Sequence, residues 1–376
     1  MPQIPAGWEE TTLQLCTLPV QEKISLTQVS EDNYISTENM LPNIWWVVIS
    51  SGLPNINSIT KFQKWDILFS NIRTYFRKLW YATFTGGVSN DVLVFRGNYS
   101  KIYSKFLFYR LSDNSFFDYT IKTSKWTKMP RWDKEAIWNF PIHLPPLPEQ
   151  QAIAAVLSSF DDKIELLRAE NQTLEQMGQE LFKERFGKWK IGDELPEGWR
   201  VGKLGEEITP KQGKYIDAKY ISDNQNDIDK YPIYWGSWIR GYIRTFDYSN
   251  PMTILTCRWN WCGLIQFTER YSTITNSCMV FDSESLWLTS ERIYLRSKNI
   301  NFESVISGSA QPQITIFSLF NISIIVPDQV TLSKFDLVIK PFFNKIRENS
   351  EQIQTLLATR DQLLPKLMSG EVRVAE

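Results

Sequence analysis

The sequence predicts an α+β fold: two α/β lobes in a tandem pseudo-repeat, separated by two long helices that pack as an antiparallel coiled coil. Three observations predict it. The 376-residue chain matches itself at a fixed offset. Two stretches carry the same heptad of apolar residues. Short strand-like runs lie between those stretches.

The repeat organises the rest. Lys128-Met129-Pro130 stands 182 residues before Ala310-Gln311-Pro312, and Asn139-Phe140-Pro141-Ile142-His143-Leu144-Pro145 stands 182 before Asn321-Ile322-Ser323-Ile324-Ile325-Val326-Pro327. At the fronts, Pro5-Ala6-Gly7-Trp8 echoes Pro196-Glu197-Gly198-Trp199 at an offset of 191. A period this long is no solenoid; it is one lobe-plus-helix unit duplicated. The expected boundaries are 1–145 for the first lobe, 146–187 for the first helix, 188–330 for the second lobe, 331–370 for the second helix and 371–376 for a tail.

In the first helix Pro148 sits near the start, where a missing N–H costs nothing. Apolar positions then alternate by three and four: Ile153, Leu157, Phe160, Ile164, Leu167, Asn171, Leu174, Gly178 and Leu181. The second helix runs Phe335, Ile339, Phe342, Ile346, Asn349, Ile353, Leu356, Arg360, Leu363 and Leu367, and adding 182 to the first series lands on the second. That is a two-helix seam rather than a broad globular stripe. Asn171 and Asn349 fall on seam positions, where a buried Asn sets register and partner. Pro341 and Pro365 predict a kink in the second helix, or a late start and an early end. Glu149 to Phe186 spans ~57 Å as a rod at ~1.5 Å per residue. In the lobes, Val92–Phe95, Phe106–Tyr109, Thr253–Thr256 and Ile322–Val326 read as strands of a twisted sheet.

Composition narrows the chemistry. With 43% hydrophobic and 22% charged residues, the chain is globular. No apolar run approaches the ~18–20 residues that span a bilayer, and no basic-then-apolar leader is visible at Met1-Pro2-Gln3-Ile4-Pro5, so a cytoplasmic location is expected. The four cysteines, Cys16, Cys257, Cys262 and Cys278, are no disulfide framework. The one histidine, His143, sits in a proline-flanked apolar strand end and reads as structural. Cys257-x4-Cys262 without a second histidine is no zinc site. There is no phosphate loop, no G-x-G-x-x-G and no Asn/Asp-Pro-Pro-aromatic tetrad. These absences favour a protein that binds over one that catalyses.

The net charge of −1 conceals a local imbalance: segment 61–134 holds 14 Lys/Arg against 5 Asp/Glu, while segment 1–60 holds 1 against 6. The basic segment interleaves aromatics, as in Arg73-Thr74-Tyr75-Phe76-Arg77-Lys78, which suits nucleic acid; a solvated basic face is the bland alternative. Segment 187–330 is balanced, with 15 basic and 16 acidic residues, and offers only isolated Arg240, Arg244 and Arg258.

At these residues the chain resembles the DNA-specificity subunit of type I restriction-modification enzymes. The resemblance rests on the two Pro-x-Gly-Trp fronts, on Thr127-Lys128-Met129-Pro130-Arg131 and its second copy Gly308-Ser309-Ala310-Gln311-Pro312-Gln313, on Leu144-Pro145-Pro146-Leu147-Pro148-Glu149-Gln150-Gln151, and on the closing Asp361-Gln362-Leu363-Leu364-Pro365-Lys366-Leu367-Met368-Ser369-Gly370. It implies that the lobes are target recognition domains, each reading half of a bipartite, asymmetric sequence in double-stranded DNA, with the helices as a ruler. It implies no catalytic centre and no cofactor in this chain: S-adenosylmethionine, ATP and Mg²⁺ belong to partners, namely two adenine methyltransferase subunits and the restriction/translocase subunits. A DNA methyltransferase or nuclease with its own catalytic centre is the alternative, and a pure protein scaffold a third. The residues expected to touch DNA are Arg73, Arg77, Lys78, Lys128 and Arg131 in the first domain, and Arg240, Arg258, Gln311 and Gln313 in the second.

One departure stands out. The chain has 15 Trp and only 17 Gly, against an ordinary Gly usage of ~7%. Trp65, Trp126, Trp132, Trp235 and Trp238 occupy positions where the family tends to have Gly, as do, less surely, Trp45, Trp46, Trp259, Trp261 and Trp287. The expectation is that some of these codons are UGA, read as Gly in the source lineage; aromatic enrichment for base stacking is the alternative.

Overall fold

The computed structural model describes residues 4–41, 46–72, 76–123, 134–223, 225–236, 238–282 and 289–374, except the side chains of Lys134 and Asn260. The described chain forms two compact units, Met1–Glu165 with Ile353–Glu376, and Leu166–Gln352. Each is considered by itself.

The same latch opens both. In unit 1, Gly7 takes φ +83° and the Trp8 N–H donates to the Pro5 carbonyl at 3.1 Å. The turn delivers the indole N–H to the Glu149 carboxylate, 3.1 Å away, in the first turn of the long helix Leu147–Phe186. In unit 2, Gly198 takes φ +80°, the Trp199 N–H donates to the Pro196 carbonyl at 3.0 Å, and its indole donates to Asp328 at 3.1 Å. Asp328 also accepts the Thr331 N–H at 2.9 Å, capping the second long helix, Gln329–Ser369. Left-handed backbone is what reserves both turn positions for glycine.

A two-stranded sheet follows each latch. Glu9–Thr12 pairs antiparallel with Pro141–Leu144, and Arg200–Lys203 with Ser323–Val326. His143 lies in the first of these, opposite Glu10. A four-stranded sheet then recurs with the same strand order: Thr17–Leu18, Val92–Gly97, Ile67–Ser70 and Leu79–Tyr81 in unit 1, and Thr209–Gln212, Cys278–Asp282, Thr253–Thr256 and Ile265–Phe267 in unit 2. A further small sheet completes each lobe, containing one parallel pair (Tyr34–Ile35 with Gly86–Val88; Tyr231–Trp235 with Thr273–Ile274). The lobes are thus built from several small sheets rather than one twisted sheet.

One expected strand is a helix. Phe106–Tyr109 lies inside Ser104–Ser112, where Phe106 through Ser112 are all buried. A helix buried on every side shows no 3.6-residue alternation, so a short apolar run of this kind cannot be told from a strand by periodicity. Its counterpart is Ser290–Lys298. The two are superposed by a buried arginine that reaches the closing strand: Arg110 donates to the Pro141 carbonyl at 3.2 Å, and Arg296 to the Ile325 carbonyl at 3.1 Å.

The prolines of the second helix bring neither the late start nor the early end that the sequence offered as one alternative. The helix neither starts after Pro341 nor ends before Pro365. Both prolines are exposed, and the carbonyls each would leave without an N–H belong to exposed residues, Leu337 and Asp361, where water takes over.

Within each unit part of one long helix packs antiparallel on part of the other. In unit 1 the pair Asp161–Arg360 links them at 2.7 Å. In unit 2 Phe182 and Phe186 both stack edgewise on Phe335, at 5.8 and 5.0 Å. The buried stripe is wider than the expected two-position seam. Phe182, Phe343 and Leu364 are buried more deeply than their seam neighbours Leu181, Phe342 and Leu363. Each helix faces its own lobe as well as its partner: Ile153, Ala154, Leu157, Leu364, Leu367 and Met368 join the same core as Phe106 and Phe140.

Candidate nucleic-acid interface

Three of the four residues picked from the second half come together. The strand Thr253–Thr256 runs into buried Cys257, whose N–H donates to Ser277 (2.9 Å) and whose carbonyl accepts from Ile314 (3.0 Å). This pins Arg258 beside a hairpin. Ser307 and Gln313 exchange two backbone hydrogen bonds, 2.9 and 2.8 Å, around Gly308 at φ +87°. A Cβ at 308 would stand 2.7 Å from the Gln311 carbonyl oxygen, so the turn requires glycine. Arg258 bridges Gln313 across the backbone, and the Trp259 N–H donates to Pro312 at 3.0 Å.

Arg258, Gln311 and Gln313 are all exposed. Among the described residues the Arg258 guanidinium makes no hydrogen bond or ion pair. An Arg fork suits guanine and a Gln amide suits adenine in the major groove. Arg240 differs: on the strand Trp238–Ile243, it is half-buried and paired with Asp223 at 3.0 Å. The Trp238 ring nonetheless meets that of Trp261 at 6.1 Å, bringing its strand to the same edge.

In the first half the picks are held by their own lobe. Arg77, at φ +53°, donates to Asn114 and lies 4.6 Å over the Phe117 ring; burial pushes its pKa down. Lys78 donates to the Thr37 carbonyl at 2.6 Å. Arg73, Lys128 and Arg131 lie outside the described residues.

The two seam asparagines meet. Asn349, fully buried, donates from Nδ2 to Asn171 Oδ1 at 2.9 Å and to Glu170 at 3.0 Å. Sequence reasoning missed the corresponding contact of unit 1, where Arg360 donates to Asp161 Oδ1 at 2.7 Å and Tyr109 to Asp161 Oδ2 at 2.5 Å. The signal was present: Arg360 occupies a seam position, and a charge there demands a partner.

Burial keeps the thiols protonated. It raises Cys16 and Cys257, and pushes Cys262 up to about 11 and Cys278 to about 12. None is set up as a thiolate nucleophile. Among the described residues no group of three His, Cys, Asp or Glu is placed to hold a metal, and no helix is long and apolar enough to cross a membrane.

Residues 7–176 match the family model described as the type I restriction modification DNA specificity domain. The MjaIX type I specificity subunit of Methanocaldococcus jannaschii is 29% identical over 306 residues, covering 73% of this chain and 70% of that one. The first half of the chain thus matches the specificity-domain model, and most of its length is similar to a type I specificity subunit. The EcoDI specificity subunit of Escherichia coli is 28% identical over 208 residues, 50% of this chain and 45% of the relative. The type I restriction-modification S subunit of M. genitalium shares the fold of this chain, with a TM-score of 0.54 at 16% identity over 96% of both chains.

The tryptophans expected to stand at glycine positions fall into a pattern. Trp45, Trp126, Trp132 and Trp287 lie outside the described residues. The other six, Trp46, Trp65, Trp235, Trp238, Trp259 and Trp261, are 37–54% exposed, whereas Trp8 and Trp80 are buried. Trp65 (φ +79°) and Trp259 (φ +65°) are two of the four non-glycine residues with left-handed backbone among the described residues. Bulky residues resist that region. Trp259→Gly is therefore expected to leave the protein about 1 kcal/mol more stable than Trp259→Ala, which keeps the strain. Equal denaturation midpoints for the two variants would show that the backbone at 259 is not strained.

Proposed function

We propose that this chain supplies DNA sequence specificity to a type I restriction-modification complex and carries no catalytic step itself. One observation carries the reading: the scaffold is duplicated and the residue types at the hairpin that joins Arg258 in the second half are not. The Trp–carboxylate latch, the closing strand pair, the four-strand order and the buried arginine recur in both units. At the recognition hairpin, by contrast, Gln311 and Gln313 stand where the first half has Met129 and Arg131. A shared frame with unlike reading residues suits two different half-sites in double-stranded DNA. The duplicated frame likewise suits two copies of one methyltransferase partner, with restriction/translocase subunits joining that core. S-adenosylmethionine, ATP and Mg²⁺ would then be held by those partners, in the cytoplasm.

The glycine reading of the UGA codons is supported by the left-handed backbone at Trp65 and Trp259. UGG codons at both positions end it. Under that reading the aromatic group at 259–261 is not a stacking platform, and recognition in the second half falls to Arg258, Gln311 and Gln313.

The test uses the chain assembled with its methyltransferase subunit. Arg258→Ala should weaken binding by about 1–3 kcal/mol and relax base preference at one position of one half-site, leaving the other half-site unchanged. A binding selection on randomised duplex DNA reads both. Unaltered affinity and preference would remove Arg258 from the interface. Methyl transfer to DNA by this chain alone would overturn the non-catalytic reading.

A further inference from the structure

The seam between the long helices is chemically unlike in the two units. In unit 1 three residues meet around one position: Tyr109 from the buried helix, Asp161 from the first long helix and Arg360 from the second. Adding 182 to 161 gives 343, and subtracting 182 from 360 gives 178. Tyr109 and Leu295 each precede the arginine that bonds the closing strand. The same three places in unit 2 are therefore Leu295, Phe343 and Gly178. They too come together: a Cβ on Gly178 would lie 3.5 Å from Leu295 and 3.9 Å from Phe343. A hydroxyl, a carboxylate and a guanidinium in one unit are replaced, all three at once, by a leucine, a phenylalanine and a glycine in the other.

A second position shows the same contrast. Asn171 meets Asn349. The residues 182 away from them are Ile353 and Leu167, both apolar and buried.

We propose that these positions form a pairing code by which the first long helix accepts the second and rejects a second copy of itself. When helix one pairs with helix two, acid meets base, amide meets amide and apolar meets apolar. If two chains paired like with like in the same register, Asp161 would face Gly178 of the other copy without its arginine, and Asn171 would face leucine. In the pairing of second helices, Arg360 would face Phe343 and Asn349 would face isoleucine. Each arrangement takes a partner across the seam from a buried charge or amide. Arg360 would lose Asp161 though it keeps Asp361 beside it on its own helix, and Asp161 would lose its counter-ion though it keeps the Tyr109 hydroxyl. A low-dielectric interior penalises that loss. Single polar seam residues select partners in this way in coiled coils. The apolar faces of the duplicated helices would otherwise be interchangeable between copies, because their heptads coincide.

The test is refolding of the full chain from denaturant over a range of concentrations, read by size-exclusion chromatography with light scattering. The wild-type chain is expected to return at its monomer mass of 44.0 kDa. A chain symmetrised by Tyr109→Leu, Asp161→Phe, Arg360→Gly, Asn171→Ile and Asn349→Leu should yield a dimer fraction that grows with concentration. The reverse conversion of unit 2, Leu295→Tyr, Phe343→Asp and Gly178→Arg, is the second symmetrised chain. Asp161→Arg with Arg360→Asp keeps the match and should refold as monomer. The proposal falls if a symmetrised chain refolds with native circular dichroism and stays monomeric throughout. It also falls if the wild-type chain itself returns as exchanged dimer, or if neither symmetrised chain refolds while the charge-swapped one does, since these positions would then serve stability alone.

Discussion

Asp336→Ala is expected to lower the stability of the protein by about 4 kcal/mol. Asp336 lies on the second long helix and receives a 2.6 Å hydrogen bond from Arg292, whose side chain is 1% exposed. Burial pushes the Arg292 pKa down and that of Asp336 up, so each ion tolerates its site because of the other. Removing the carboxylate takes from a guanidinium in the core of unit 2 its 2.6 Å acceptor. Asp336→Asn keeps the shape and a hydrogen-bond acceptor and should recover part of the loss. Chemical denaturation of the three proteins checks the order. A loss below about 1 kcal/mol for the alanine variant would place the pair with ordinary surface bridges.

Arg360→Ala should cost about 3 kcal/mol in unit 1. The magnitude is smaller because Asp161, the anion left behind, is 26% exposed at its side chain and keeps the Tyr109 hydroxyl. A charge argument makes a further demand. Asp161→Asn added to Arg360→Ala removes the stranded anion, so the double variant should be more stable than Arg360→Ala alone. If the second substitution makes matters worse, Arg360 contributes through packing of its stem rather than through its charge.

The periodicities told the most about the skeleton. Heptads at an offset of 182 placed both long helices, and the paired Pro-x-Gly-Trp fronts marked the two latches, because each is a local pattern with a local cause. The helix Ser104–Ser112 escaped because its environment is apolar all round, and the persistence of the second helix through Pro341 and Pro365 depended on which side of it faces water. Neither is a property of a short window of sequence. The seam asparagines were legible as polar residues in an apolar row. The Asp161 partner of Arg360 was not, because Asp161 falls one place outside that row and is brought in by contact with Tyr109 from another helix.

The candidate interface was legible only in part. Arg258, Gln311 and Gln313 were chosen from separate stretches, and the bridge between Arg258 and Gln313 joins them. Arg77 and Lys78 were chosen for charge, yet partners distant in sequence hold them: Asn114 and Phe117 for one, Thr37 for the other. A count of basic residues records how many cations exist and not how many are already engaged.

Unit 1 draws on both ends of the chain. Leu364, Leu367 and Met368 complete the core begun by Trp8 and Leu13, and Arg373 binds Glu149 at 2.5 Å and the Ala6 carbonyl at 3.2 Å. On the ribosome the first lobe to emerge is therefore the last to close. Roughly 190 residues separate Glu165 from Ile353, and at ~5–20 residues per second their synthesis occupies on the order of 10–40 s. Throughout that interval Ile153, Ala154 and Leu157 lack the helix that covers them, while the second lobe, whose core takes in Phe335, Ile339 and Phe343, is itself still being made.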